Sequence, residues 1–176
     1  MQSAHETTAP ARVRNHTLIA KLFHWGFVGI FVYALTKQLR NVGQLTDPAL
    51  LQFEVVFAIG FLILLAARFV YMRLTRPTAL PDTAHPAIRL MARVGHLAMY
   101  ASLSMIAISG LMIGAVYTWG SENGLMMDMA VGLHEASVNA AYVSIGVHVA
   151  AAVFHRLKGD GIWSAMVPVW IEKPAK

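Results

Sequence analysis

Four long apolar stretches, separated by short polar or proline-rich pieces, dominate the chain. They run over Leu22–Leu39, Leu50–Met72, Leu90–Trp119 and Ala130–Phe154, the far end of the third reading as loop. Each approaches or exceeds the ~20 residues that a helix needs to cross the hydrocarbon core of a bilayer. The separators are "RNVGQLTDP", "RLTRPTALPDTAHP" and "WGSENG", all rich in turn formers. The second is too polar to be buried and belongs at the surface. The pattern predicts an all-α integral membrane four-helix bundle, with no repeat, low-complexity segment or soluble second domain.

Charge gives the bundle a direction. Of the 14 Lys and Arg residues, 12 fall on one side: Arg12, Arg14, Lys21, Arg68, Arg73, Arg76, Arg89, Arg93, Arg156, Lys158, Lys173 and Lys176. Only Lys37 and Arg40 fall on the other, beside Asp47, Glu122 and Asp128. The positive-inside bias then puts both termini of this multi-pass chain in the cytoplasm. About 20 polar residues precede the first span and no small-residue cleavage site follows it, unlike a cleavable signal peptide. The expected organisation is a polar arm over 1–20, a transmembrane domain over 21–157 and a cytoplasmic tail over 158–176. Trp25, Trp119, Trp163 and Trp170 read as an interfacial belt.

Composition narrows the chemistry. The chain is 57% hydrophobic and 13% charged, against about 25% charged in a soluble domain. A net charge of +5 would suit nucleic acid or anionic lipid, but its one-sided placement points to membrane lipid and not to nucleic acid. Without cysteine, disulfides, thiolate-bound metals and covalent haem attachment are excluded.

Ionisable residues inside spans are costly and mark candidate sites. Here they are His24, Glu54, Arg68, His96, His134 and His148. The 14 residues from His134 to His148 turn a helix by roughly 1,400°, within about 40° of the starting face, and rise about 21 Å. Two imidazoles thus face the bundle near opposite membrane surfaces, which suits two stacked haems each taking one axial ligand from this helix. Between them lie the small residues Ala136, Ser137, Ala140, Ala141, Ser144 and Gly146, which suit close approach of a macrocycle or, equally, of a neighbouring helix. By depth, His24 pairs with His148. His96 either competes for that iron or bonds a propionate. At the level of His134 no other span offers a histidine; what it meets there is Glu54.

The segments "KLFHWGF", "AARFVYMRLTRPTALP", "RVGHLAMY" and "LHEASVNAAYVSIGVHVAAAVFHRLKGDG…MVP" together resemble the bacterial cytochrome b561 family. These are four-helix, di-haem, quinone-linked membrane cytochromes, and one branch oxidises superoxide. The resemblance spans about residues 20–168 and implies haem b iron held by His24, His134 and His148. The family pattern also places a histidine 14 residues before the arginine of the "AAR" segment, where this chain has Glu54. Three outcomes follow: a five-coordinate outer haem on His134 with Glu54 as distal group; a methionine ligand from Met112 or the 125–129 segment; or no outer haem, with Glu54 bonded to His134. Arg68 then pairs with a haem propionate or reaches the headgroups. The resemblance places His155 where ubiquinone binds, although its place at the helix end equally fits an interfacial histidine facing the headgroups.

The chemistry expected is electron transfer between haem and quinone. The other partner would be superoxide, for which Lys37 and Arg40 supply a positive mouth that Asp47, Glu122 and Asp128 oppose, a periplasmic redox protein, or subunits of a respiratory complex. A non-catalytic cytochrome b anchor subunit of a larger complex is the second reading. A haem-free transporter or assembly factor using His and Glu54 as a proton relay is the third.

Overall fold

In a computed structural model the described residues are 17–39, 41–75, 80 and 84–172. The expectations for Arg12, Arg14, Arg40, Arg76, Lys173 and Lys176 lie outside them. Four long helices follow one another: α1 (Leu18–Thr36), α2 (Pro48–Thr75), α3 (Pro86–Thr118) and α4 (Leu125–Lys158). A 3-10 turn over Val42–Thr46 links the first two, and a short α5 (Ile162–Met166) follows the last. No strand occurs among the described residues. All four long helices have the length and hydropathy of membrane spans.

Their ends follow local rules. Thr17 accepts from the Ala20 amide at 3.2 Å, and His85 Nδ1 accepts from the Ala87 amide at 3.3 Å, so each satisfies an otherwise orphaned donor. Pro48 and Pro86 occupy first helical positions, where the missing N–H is no loss. α4 ends at Gly159 in the left-handed region (φ 70°), which caps the His155 carbonyl. These caps lie beyond the apolar cores, so α2 and α4 outrun their apolar stretches at both ends and α1 and α3 start before theirs, while α1 stops at Thr36, short of the expected Leu39. The expected loop at the end of the third stretch is absent: α3 continues to Thr118, since Val116, Tyr117 and Thr118 are tolerated in helix and the chain turns only at Gly120.

α3 is the hub. It packs closely against α4 and, less extensively, against α2, whereas α1 makes no comparably close backbone approach to any helix. Small residues explain the tight seam: Ser102 and Ser109 of α3 and Ala130, Ser137 and Ala141 of α4 are buried. A Cβ added at Gly114 would meet Leu51 and Val55 of α2 at 3.5 Å. Large rings explain why α1 stands off. Phe27 meets Phe61 at 5.5 Å between centroids, Phe23 meets Tyr71 at 5.7 Å, and Tyr33 meets Phe57 at 6.1 Å. The core of Phe61, Leu65 and Ala107, with Phe27, Ile30 and Tyr100 against it, sits between these two modes of packing. Exposed Val32, Ile63, Val143 and Leu157 form an apolar exterior that suits lipid better than water.

Candidate functional site

At the end of the bundle where α2 finishes and α3 begins, called inner after the orientation expected from charge, three imidazoles converge. The ring of His148 on α4 lies 6.1 Å from that of His24 on α1 and 5.6 Å from that of His96 on α3. His24 and His96 thus both stand beside His148, the His96 ring slightly nearer. His96 Nδ1 lies 2.6 Å from the Ala92 carbonyl. A carbonyl only accepts, so Nδ1 carries the proton and Nε2 keeps its lone pair. Arg68 is the cationic neighbour of His148. Its Nε donates to the Tyr100 hydroxyl at 3.1 Å, and its guanidinium lies over the Phe27 ring at 5.6 Å. It is held inside the bundle by an aromatic and a hydroxyl, more than a headgroup anchor would need.

The outer end is sparser. His134 sits against α3, where its Nδ1 lies 3.1 Å from Ser109 Oγ and its Cε1 3.7 Å from where a Cβ on Gly110 would be. Ser109 Oγ also lies 2.6 Å from the Met105 carbonyl, to which it must donate. Having spent its hydrogen there, it accepts from His134 Nδ1–H, which sets the tautomer and leaves Nε2 as the lone-pair nitrogen. Glu54 lies on the inward stripe of α2 with Ala58, Phe61 and Leu65 and is half-buried. The α2 register, with Leu51 and Val55 against Gly114, sets Glu54 about one turn, or ~6 Å, further out than His134. Among the described residues no hydrogen bond or ion pair joins Glu54 to His134. The small residues of α4 divide between faces: Ser137 and Ala141 are buried in the seam with α3, while Ala136, Ala140 and Gly146 are exposed. Two of the six residues of that stripe, Ser137 and Ala141, therefore serve helix packing.

Beyond α4 the chain folds back. His155 Nδ1 lies 2.7 Å from Asp160 Oδ2, and Lys158 Nζ lies 3.5 Å from the same oxygen. Asp160 Oδ1 accepts from the Ile162 amide at 3.3 Å. Burial alone would raise the Asp160 carboxyl, but the hydrogen bonds from His155 and Ile162 and the charge of Lys158 outweigh it and hold the carboxyl below its ordinary range. α5 is tied to α1 by Trp25 Nε1, which donates to the Met166 carbonyl at 3.3 Å, and Ser164 within α5 donates at 3.1 Å to Glu172 of the segment that follows. Trp25 and Trp163 thus have structural roles beyond an interfacial belt, Trp163 donating to the Val169 carbonyl at 2.9 Å. Trp119 and Trp170 are exposed at helix and chain ends, as belt residues would be.

Sequence reading missed Ser109, Tyr100 and Asp160 as partners of the candidate residues. Ser109 and Tyr100 lie on a different helix from the groups they hold, so no local spacing reveals them. Asp160 stands five residues after His155 in "HRLKGDG", where two flanking glycines were a turn signal. Among the described residues no group of three or more His, Asp or Glu is arranged to cage a bare metal ion. Two imidazoles at one level can serve a metal that brings its own equatorial ligands.

The family described as prokaryotic cytochrome b561 matches residues 15–169, nearly the whole chain. No curated protein and no solved structure matches it.

Proposed function

The chain belongs to the prokaryotic cytochrome b561 family, and we propose that it carries electrons between a haem held by His24 and His148 and a quinone near His155. At the coarser level it is a multi-pass membrane b-type cytochrome of electron transfer. The observation that carries the finer reading is the 6.1 Å between the His24 and His148 rings. Two metal–nitrogen bonds of about 2 Å plus the radii of two imidazoles come to roughly 6 Å, so the pair is spaced for one iron. The packing favours His24 over His96 as the second ligand. α3 and α4 are in close contact, which leaves little width for a macrocycle between His96 and His148, whereas α1 stands off on its aromatic rings. Bound haem would supply one-electron redox chemistry. The chain's own residues would supply the axial imidazoles, a cation at Arg68 for a propionate and, at His96, a nearby hydrogen-bonding imidazole.

The outer end fits a second haem less well. His134 presents one imidazole with its tautomer set by Ser109, but α2 offers only Glu54, about one turn further out, where a second nitrogen donor would be needed. An outer haem would therefore rest on His134 with Glu54 as a distal hydrogen-bonding or proton-transfer group. The basic-rich end would face the cytoplasm and the Glu54 end the periplasm. There the second partner would be superoxide, a periplasmic redox protein or a partner subunit. Short connectors such as 119–124 favour the alternative of a haem-bearing anchor subunit, because they leave little protein outside the membrane for a catalytic site.

A reduced-minus-oxidised spectrum of the purified protein, with a haem-to-protein ratio, tests this reading. It predicts a b-type band and one firmly held low-spin haem. A protein with no such band is not an electron carrier of this kind. Co-purification with a stable partner complex would favour the anchor subunit.

A further inference from the structure

We propose that Asp160 is the positioning and charge partner of His155 in proton exchange with the quinone, a reading that rests on the quinone site proposed above. The two side chains are 2.7 Å apart and each is only about one-fifth exposed, 20% and 21%. A carboxylate only accepts, so His155 Nδ1 keeps a proton against Asp160 and Nε2 is the nitrogen free to exchange one. Asp160 is not a chance neighbour. It sits between Gly159 (φ 70°) and Gly161 (φ 83°), two left-handed positions that fold the chain back and that a side-chain-bearing residue would adopt only with strain. Its second oxygen is held by the Ile162 amide at 3.3 Å, and Lys158 lies 3.5 Å from the first. The carboxyl is held below its ordinary range and so stays ionised beside the imidazole.

The chemistry needs such a pair. A quinone that gains two electrons must also gain two protons at its carbonyl oxygens. When His155 is doubly protonated, its Nε2–H bond breaks as one quinone O–H bond forms, leaving a neutral imidazole whose Nδ1–H never leaves Asp160, while the other quinone oxygen takes its proton from water. Water at the bundle end then reprotonates Nε2, and quinol oxidation runs the same transfers backwards. The electrons come from, or return to, the one-electron redox centre of the cytochrome. Asp160 stays anionic throughout; its work is to fix the tautomer and to stabilise the imidazolium, as a buried carboxylate does behind a catalytic histidine. Electron transfer through an imidazole-bound iron requires none of this, which separates the pair from the axial ligands.

The test compares native protein with Asp160→Asn, Asp160→Glu and His155→Gln, using ubiquinone-1 and its quinol as the probe. Rates of haem oxidation and reduction are measured in H2O and D2O, and the difference spectrum reports integrity. Asp160→Asn should lower kcat about tenfold with little change in KM, enlarge the solvent isotope effect and leave the haem band intact. Asp160→Glu, which restores the charge, should recover most of the rate. An Asp160→Asn protein as fast as native overturns the proposal. So does Asp160→Glu as slow as Asp160→Asn, or a haem band lost in Asp160→Asn, since either would mean that Asp160 only holds the fold. If His155→Gln leaves quinone exchange intact with its haem band in place, the quinone site itself is wrong. If His155→Gln is slow while Asp160→Asn is not, only the role of Asp160 falls.

Discussion

The inner and outer ends of this bundle are built from the same helices but to different standards. At the inner end His24, His96, His148 and Arg68 converge from four helices, and each has a ring or hydrogen-bond partner within reach. At the outer end His134 has its serine, while Glu54 faces inward from α2 without a bond to it. The difference teaches that a 14-residue spacing on one helix sets the depth of two sites without making them equivalent. What each site can hold depends on what the facing helices contribute: α1 brings an imidazole to His148, and α2 brings a carboxylate towards His134.

Removing one imidazole at each end is the coarsest way to break this comparison. His148→Ala should abolish the low-spin haem signal, while His134→Ala should leave it unchanged and remove only the weaker outer component. Optical and EPR spectra of the two proteins side by side would show it, and equal losses in both would erase the asymmetry. The asymmetry should also be repairable. Glu54→His would offer His134 a second nitrogen donor and should convert the outer end into a low-spin centre, read as a second low-spin signal and a higher haem-to-protein ratio.

A finer test removes the support and keeps the ligand. Loss of an outer-shell partner typically weakens metal binding 10–100-fold, so Ser109→Ala should lower outer haem retention by about tenfold and leave the inner signal alone. Haem titration of the depleted protein would measure it. The smallest effect concerns pH. The Asp160 carboxyl in the fold lies below its ordinary value, so the fold releases that proton more readily than the unfolded chain. Its stabilising tie to α4 is therefore complete above about pH 4 and fades as pH falls through the lower folded value. Tryptophan fluorescence from the α5 region should change reversibly in that acid window in native protein and lose most of that change in Asp160→Asn.

Much of this was readable in the chain. Apolar runs of about 20 residues have one stable solution in a bilayer, so the four helices and the inward face shared by His134 and His148 followed from length and spacing. Their full extents did not, because capping by Thr17, His85 and Gly159 acts outside the apolar cores. Nor did the stand-off of α1, which depends on Phe27, Phe23 and Tyr33 meeting rings on α2 that are distant in sequence. Ser109 is the sharpest instance. Its role exists only because α3 and α4 pack so that residues 25 positions apart touch, and no single-helix pattern carries that information.

The central claim is that the inner iron is shared by His24 and His148 across the space beside α1, with His96 beside the pair but not on the metal. EPR of the oxidised protein tests this directly in three single variants. The low-spin ferric signal should vanish in His24→Ala and His148→Ala and survive, shifted, in His96→Ala. If it survives in His24→Ala and vanishes in His96→Ala, the iron lies between α3 and α4 and the account is wrong.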